Sequence, residues 1–232
     1  MIEHMLERIK RAKNLDTIIV ATSESKEDGA LETIALAAGV GCFRGSESDV
    51  LDRYYQAGKS AGLNPEDVII RLMADCPFQH SEVIDEAVRR FLEEYDPYAF
   101  GGSFHNYPEG FDFDIFTFQA LEEAWKNAKL PSEREHVSRY FFNHPERFHS
   151  LRWTKGTQND SSMHWSVDTP ADYEFVQKVF ETLYPKNPNF NKDDILELLK
   201  KKPELLDINK GGTGYEGLAK SLKEDEEFKK NL

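Results

Sequence analysis

Residues 68–78, VIIRLMADCPF, constrain the fold more than any other stretch of the chain. A run of branched apolar residues turns polar at Arg71 and reaches an acidic residue, Asp75, just before Cys76-Pro77. Such a run reads as a buried strand of a parallel sheet. Pro77 has no N–H to donate and biases Cys76 away from helix, so the ladder stops there and Asp75 stands where the strand ends. Arg71 and Asp75 are an even number of residues apart and would share a face of that strand. In open α/β sheets ligands bind at this rim, and a carboxylate there suits a divalent cation and the phosphates it carries. Read alone, the same Asp also suits a cap on the next turn.

The rest of the chain supplies the alternation that such a strand needs. Residues 2–12 carry Ile2, Met5, Leu6 and Ile9 at helical spacing, and residues 17–22 form a strand of branched residues. A helix over 27–39 ends on Gly39, a short strand follows at 40–43, then a polar loop at 44–49 and a helix over 50–61. These repeats point to a sheet with right-handed crossovers. Farther on, Ser81 caps a helix whose buried face runs from Val83 to Leu92. Strands are expected at 98–104 and 111–118, a turn at 107–110, and helices at 118–128 and 134–143. Residues 151–153 and 163–167 read as a hairpin, Thr169-Pro170 starts a helix over 171–183, and another helix spans 193–201. Residues 1–209 are read as one α/β domain and 210–232 as a charged, peripheral tail.

Hydrophobic residues make up 39% and aromatics 12%, enough for a real core. The net charge of −13 argues against a general nucleic-acid or anionic-membrane binder, which needs basic surface. Cys42 and Cys76 lack metal-ligand spacing, so a reducing cytoplasm is the expected setting. No apolar stretch approaches membrane-spanning length.

Three features can assemble one site. The first is Asp75 with Arg71. The second is Asp168 in HWSVDTPAD, again a carboxylate before a helix, which as an N-cap would have a purely structural role. Two carboxylates on one rim are what a hard cation held between protein and triphosphate requires. The third is Arg44-Gly45-Ser46, leading into Asp49–Arg53, whose guanidinium groups and hydroxyl suit a phosphate or the edge of a base. Glu109, Gly110, Asp112 and Asp114 form an acidic stretch that can bond sugar hydroxyls or simply alternate on a half-exposed strand. Among the seven histidines no HxxxH or HxH grouping occurs, which speaks against a His-based metal site. No GxSxG occurs, and the glycine pairs at 101–102 and 211–212 and the GxG at 212–214 lack the strand–turn–helix setting of a dinucleotide fingerprint.

Six segments occur in an order that resembles one family: RGSESDVLDRYYQA, VIIRLMADCP, YPEGFDFDIF, REHVSRYFFNHPERF, HWSVDTPADYEFV and LLDINKG with GLAKSLKED. This is the cytidylyltransferase family of spore coat polysaccharide biosynthesis protein F, similar to the synthetases of CMP-activated acidic sugars. The resemblance implies a Rossmann-like nucleotide-diphospho-sugar transferase fold with a mostly parallel sheet flanked by helices. It implies Mg²⁺-dependent transfer from CTP or a similar nucleotide to a small sugar, and permits a homodimer. By position it makes Asp75 and Asp168 metal ligands and assigns Arg44, Ser46, Asp52, Arg53 and Arg71 to the nucleotide. Gly110, Asp112, Asp114, Glu135 and His136 fall on the sugar side.

Two departures follow. Met73-Ala74 replaces the usual Thr-Gly before the Asp, which narrows backbone approach to a ligand. The family also begins with an apolar strand and a loop of the type QARxxSxRLPxK, and nothing in residues 1–15 replaces either. A late-assigned start, a truncation or a binding protein without turnover would each account for this. The expectation is a sheet without its first strand, two neighbours short of backbone partners, and little transferase activity. A non-catalytic nucleotide- or sugar-binding protein and a glycosyltransferase of similar fold are the alternatives.

Overall fold

The computed structural model describes residues 1–210 and 216–230. Its first helix, α1 (Ile2–Ile9), buries Met5, Leu6 and Ile9, as their spacing predicts, and also Arg8. Arg8 is fully buried, and its guanidinium donates to the carbonyls of Phe78, Gln79, Pro188 and Phe190 while lying 4.3 Å from the centre of the Phe190 ring. A buried charge is tolerated when its donors are satisfied. Here the satisfaction ties α1 to the segment that follows Asp75.

β1 (Ile19–Ser23), α2 (Gly29–Ala37) and β2 (Gly41–Gly45) form a parallel unit, with Gly39 at φ +69° reversing the chain after α2. α3 (Val50–Ser60) is capped by the Asp49 side chain, which accepts from Asp52 N–H. β3 (Val68–Leu72) leads toward α4 (Ser81–Glu93), whose cap is the His80 side chain rather than Ser81. β4 (Ala99–Gly102), β5 (Phe113–Thr117) and α5 (Phe118–Asn127) follow, with Thr117 capping α5.

The sheet is less parallel than expected. β1 and β2 stand as one pair, and β3-β5-β4-β6 form a second sheet, β6 being His149–Leu151. In that sheet β5 is antiparallel to both β3 and β4, and only β4 and β6 run parallel. No helix separates β4 from β5, so the chain returns beside itself without the crossover that a parallel pairing needs. β5 then divides the interior. Phe113 and Ile115 face a core shared with α1 and α4, and Phe116 faces a second core with Leu51, Leu121 and Phe141.

β1 and β3 do not pair, and each keeps one edge without a ladder partner among the described residues. Ile19, Ala21 and Ile70 line clefts of about 520 Å³ and 600 Å³ beside these edges.

Three further expectations change. The helix over 134–143 is two short ones, α6 (Pro131–Glu135) and α7 (Arg139–Asn143), broken where Val137 turns fully into the core. The hairpin of 151–153 with 163–167 does not form. Asn106 instead gathers the intervening loop, donating to the carbonyls of Lys155 and Gln158 and accepting from Asp160 N–H, so residues 163–165 are laced to Glu109. The last change concerns the tail. After α8 (Pro170–Leu183) and α9 (Lys192–Lys201), part of it forms α10 (Glu216–Lys230), seated on α6 through Asp225, which accepts from Ser132 N–H and Oγ–H. Gly211, Gly212 and Gly214 lie outside the described residues.

Replacing Arg8 by Ala leaves buried carbonyls unpaired on the segments around Phe78 and Phe190. The expected loss is about 2–4 kcal/mol, read as a lower urea midpoint.

Candidate active site

Asp75 does not sit on the strand that leads to it. β3 stops at Leu72, and Cys76 N–H donates to Met73 C=O at 3.1 Å, so Met73–Cys76 is a turn that carries Asp75 forward into the cleft. The shared pleat expected for Arg71 and Asp75 is therefore absent. The backbone of this turn is held from the far side of the sequence, because Val167 N–H donates to Asp75 C=O at 2.8 Å. That bond delivers Asp168 to the same rim.

Asp168 is not the cap of α8. Thr169 takes that role, its Oγ1 accepting from Asp172 N–H, while Asp172 Oδ2 accepts from the N–H groups of Asp168 and Thr169. The Asp168 carboxylate is left projecting, with Ser166 Oγ–H donating to Oδ2 at 2.9 Å. Asp75 lies in the concave wall of the cleft, where surrounding protein raises its pKa above the ordinary value, and the charges of Asp168 and Asp112 push the same way. The carboxylates of Asp75 and Asp168 are hard oxygen donors, and the chemistry of that pair fits Mg²⁺.

Beside them lies the turn at Gly110. Its φ is +106°, and a Cβ there would meet the Trp165 carbonyl carbon at 2.6 Å and Ser166 N at 2.8 Å. Only glycine allows the backbone of residues 165–166 to pass this close. Asp112 secures the turn, its Oδ2 accepting from Gly110 N–H at 2.7 Å and its Oδ1 from Ser103 Oγ–H at 2.6 Å. Asp114 is opposite Arg71 in the β3·β5 register and pairs with it at 2.6 Å. Burial works to lower the Arg71 pKa, but Tyr54 and Asp114 outweigh it and hold the guanidinium charged. Arg71 and Asp114, expected on the nucleotide and sugar sides, thus neutralise each other.

The remaining expected residues divide between cleft and scaffold. Arg53, Arg71, Asp75, Glu135 and His136 line one cleft of about 520 Å³. Arg53 Nη1 donates to Ser46 C=O at 2.8 Å, and its buried Nε has no hydrogen-bond partner among the described residues. Ser221 of α10 donates to Glu135 and contacts His136 Nε2 at 3.0 Å, so the tail helps to hold this wall. Arg44 donates to Ser23 C=O and pairs with Glu32, Ser46 Oγ accepts from Asp49 N–H, and Asp52 accepts from Trp125 Nε1–H at 2.7 Å. These contacts shape the loop that positions Arg53.

His164 escaped the sequence reading. Its Nδ1–H donates to Glu109 Oε2 at 2.7 Å, and Nε2 stands 3.3 Å from Asp168 Oδ2 and 3.6 Å from Asp172 Oδ1. Burial alone would lower its pKa, yet the Glu109 hydrogen bond and the charges of Glu109, Asp172 and Asp168 raise it overall. The available signal was the spacing His164, Asp168, Asp172, which a count of histidine pairs overlooks.

Two substitutions test this geometry. Gly110→Ala is expected to cost at least about 1–3 kcal/mol from the backbone conformation alone, with Tm falling by about 2–4 °C per kcal/mol. Asp75→Asn should do the opposite. A carboxyl whose folded pKa is raised destabilises the fold once pH exceeds its unfolded value, so the variant melts higher at neutral pH without added metal. The difference should close below a pH of about 4, where the wild-type carboxyl is protonated.

Comparison with known proteins agrees with the fold. The chain is 37% identical over 213 residues to an uncharacterized protein of Methanocaldococcus jannaschii, covering 90% of this chain and 83% of that one. It is 26% identical to the spore coat polysaccharide biosynthesis protein SpsF of Bacillus subtilis, over 88% of this chain and 85% of that one. The solved structure of a cytidylyltransferase from Leptospira borgpetersenii superposes with a TM-score of 0.82 at 31% identity, over 91% of this chain and 87% of that one. A sequence profile described as Cytidylyltransferase matches residues 1–202, and the chain belongs to the cytidylyltransferase family.

Proposed function

We propose that this protein is a nucleotidyltransferase of the cytidylyl type that activates a small sugar with CTP for surface polysaccharide synthesis. The observation that carries the reading is the Val167-to-Asp75 backbone bond, which brings the segment entering Asp168 against the turn that holds Asp75. Asp75 and Asp168 would hold Mg²⁺, which when bound supplies positive charge to the phosphates of the nucleotide. Arg53, anchored on Ser46, presents a guanidinium to the base or a phosphate. Glu135 and His136 form a polar wall of the same cleft and suit the hydroxyls of the acceptor sugar. The acceptor hydroxyl would attack the α-phosphate, a new P–O bond forming as the Pα–O bond to the β-phosphate breaks, so that pyrophosphate leaves and the hydroxyl proton passes to solvent.

The same cleft supports a second element of the proposal: this chain turns over slowly by itself. Of the two arginines that line the cleft, Arg71 is neutralised by Asp114. Beside the cleft, β1 and β3 each keep one edge without a ladder partner among the described residues. Phosphoryl transfer relies on positioned positive charge, and little is present here. A nucleotide- or sugar-binding protein without turnover is the second reading that these observations favour. The glycosyltransferase reading has less support, since Asp112 holds the Gly110 turn and Asp114 holds Arg71.

Calorimetry with CTP and Mg²⁺, together with a pyrophosphate-release assay on candidate sugars, separates these cases. Mg²⁺-dependent CTP binding that disappears in Asp75→Ala, with slow or no pyrophosphate release, is the expected result. Robust turnover would overturn the impairment, and an absence of Mg²⁺-dependent CTP binding would overturn the functional assignment.

A further inference from the structure

Behind the cleft, two buried atoms have no hydrogen-bond partner among the described residues: His164 Nε2 and Asp172 Oδ1. They stand 3.6 Å apart, and their side chains are 9% and 1% exposed. Asp168 Oδ2 lies 3.3 Å from the same nitrogen. Buried polar groups are ordinarily satisfied, so a pair of orphans aimed at one point calls for an occupant.

The local structure explains why they converge. The capping box of α8 saturates Asp172 Oδ2, with the N–H groups of Asp168 and Thr169 and the Thr169 hydroxyl all donating to it. The opposite oxygen, Oδ1, is thereby directed at His164. On the far side of the imidazole, Glu109 accepts Nδ1–H at 2.7 Å. With the ring neutral, that bond leaves the lone pair on Nε2. A carboxylate behind a histidine whose other nitrogen meets further carboxylates is the arrangement that orients imidazole ligands on metals. The ligand atoms of His164, Asp168 and Asp172 lie within 4.8 Å of one another, close enough to share one ion.

We propose that His164 Nε2, Asp168 and Asp172 bind a divalent transition-metal ion, with Glu109 as the residue that positions the imidazole. The nitrogen donor sets this site apart from the Asp75–Asp168 pair. Mixed imidazole and carboxylate donors select Mn²⁺, Co²⁺ or Zn²⁺, whereas Mg²⁺ favours oxygen alone. The ion would fasten the Glu109 turn, the segment of His164 that pairs with it in an isolated β-bridge, and the start of α8 together. The site does not depend on nucleotide binding and stands whether or not CTP is the substrate. Its rival is a proton: an imidazolium between the same carboxylates would satisfy the orphans without metal.

The test uses the whole chain, stripped of metal and titrated with Co²⁺ alone, read by visible absorption and calorimetry. One Co²⁺ per chain is expected, lost in His164→Gln, weakened about 10–100-fold in Glu109→Gln, and retained in Asp75→Asn. Retention in Asp75→Asn, where Mg²⁺-dependent CTP binding should be lost, keeps this outcome distinct from that of the nucleotide reading. A second measurement on the unaltered protein removes any concern about folding: Zn²⁺ should shift the Nε2 resonance of His164 in ¹⁵N spectra near neutral pH. An imidazole that stays doubly protonated and unmoved by Zn²⁺ would overturn the proposal. So would Co²⁺ binding that is undetectable, equal in wild type and His164→Gln, or lost in Asp75→Asn.

Discussion

One backbone hydrogen bond, from Val167 N–H to Asp75 C=O, joins the two halves of the candidate site. It links a turn at the end of β3 to the segment that enters α8, and neither has a strand ladder to hold it there. Each therefore depends on braces elsewhere. Arg8 fixes the carbonyls of Phe78 and Gln79 just after the turn. Gly110 lets its own loop approach Trp165 and Ser166 closely enough to press the second segment into place. Asp172 secures the other end by accepting from Asp168 and Thr169. Irregular backbone at a functional rim remains ordered when each polar group has such a partner.

The braces oppose an electrostatic cost. Asp75 is exposed on the wall of the cleft, where the surrounding protein and the charges of Asp168 and Asp112 disfavour its ionised form. A fold selected for stability alone would replace one of these groups or pair it, as it pairs Arg71 with Asp114 inside the sheet. The contrast between a neutralised internal pair and a rim where Asp75 faces other carboxylates is what makes the rim a candidate site.

Much of this was legible in the residues because periodicity reports burial. The apolar spacing of residues 2–9 and the branched run ending at Leu72 yield α1 and β3 directly. The approach of Asp75 and Asp168 to one rim followed from reading both as ends of elements, although neither turned out to lie on a strand. Periodicity carries no information about partners, and there the reading failed. It could not tell that β5 returns antiparallel between β3 and β4, or that Asn106 gathers residues 155–160 and prevents a hairpin. Arg71 and Asp114 looked like ligand contacts because each is a charge on a strand face, and only the register sets them opposite each other. His164 was hidden for a related reason, since its partners are carboxylates contributed by a cap and a turn rather than other histidines.

Charge determines what the cleft can receive. The chain carries −13 overall, and its cleft adds Asp75 and Glu135 to walls built from Ile19, Ala21 and Ile70. An anion approaching this surface is repelled at long range. Inside, Arg71 is neutralised by its partner, so Arg53 is the cleft arginine left to attract it. Arg53 alone does not offset the carboxylates of Asp75 and Asp168, so the proposed nucleotide would need a cation to accompany it. On the proposed function the acidity of the cleft would make phosphate binding conditional on a metal, because carboxylates that repel the bare anion would hold a cation that reverses the local field.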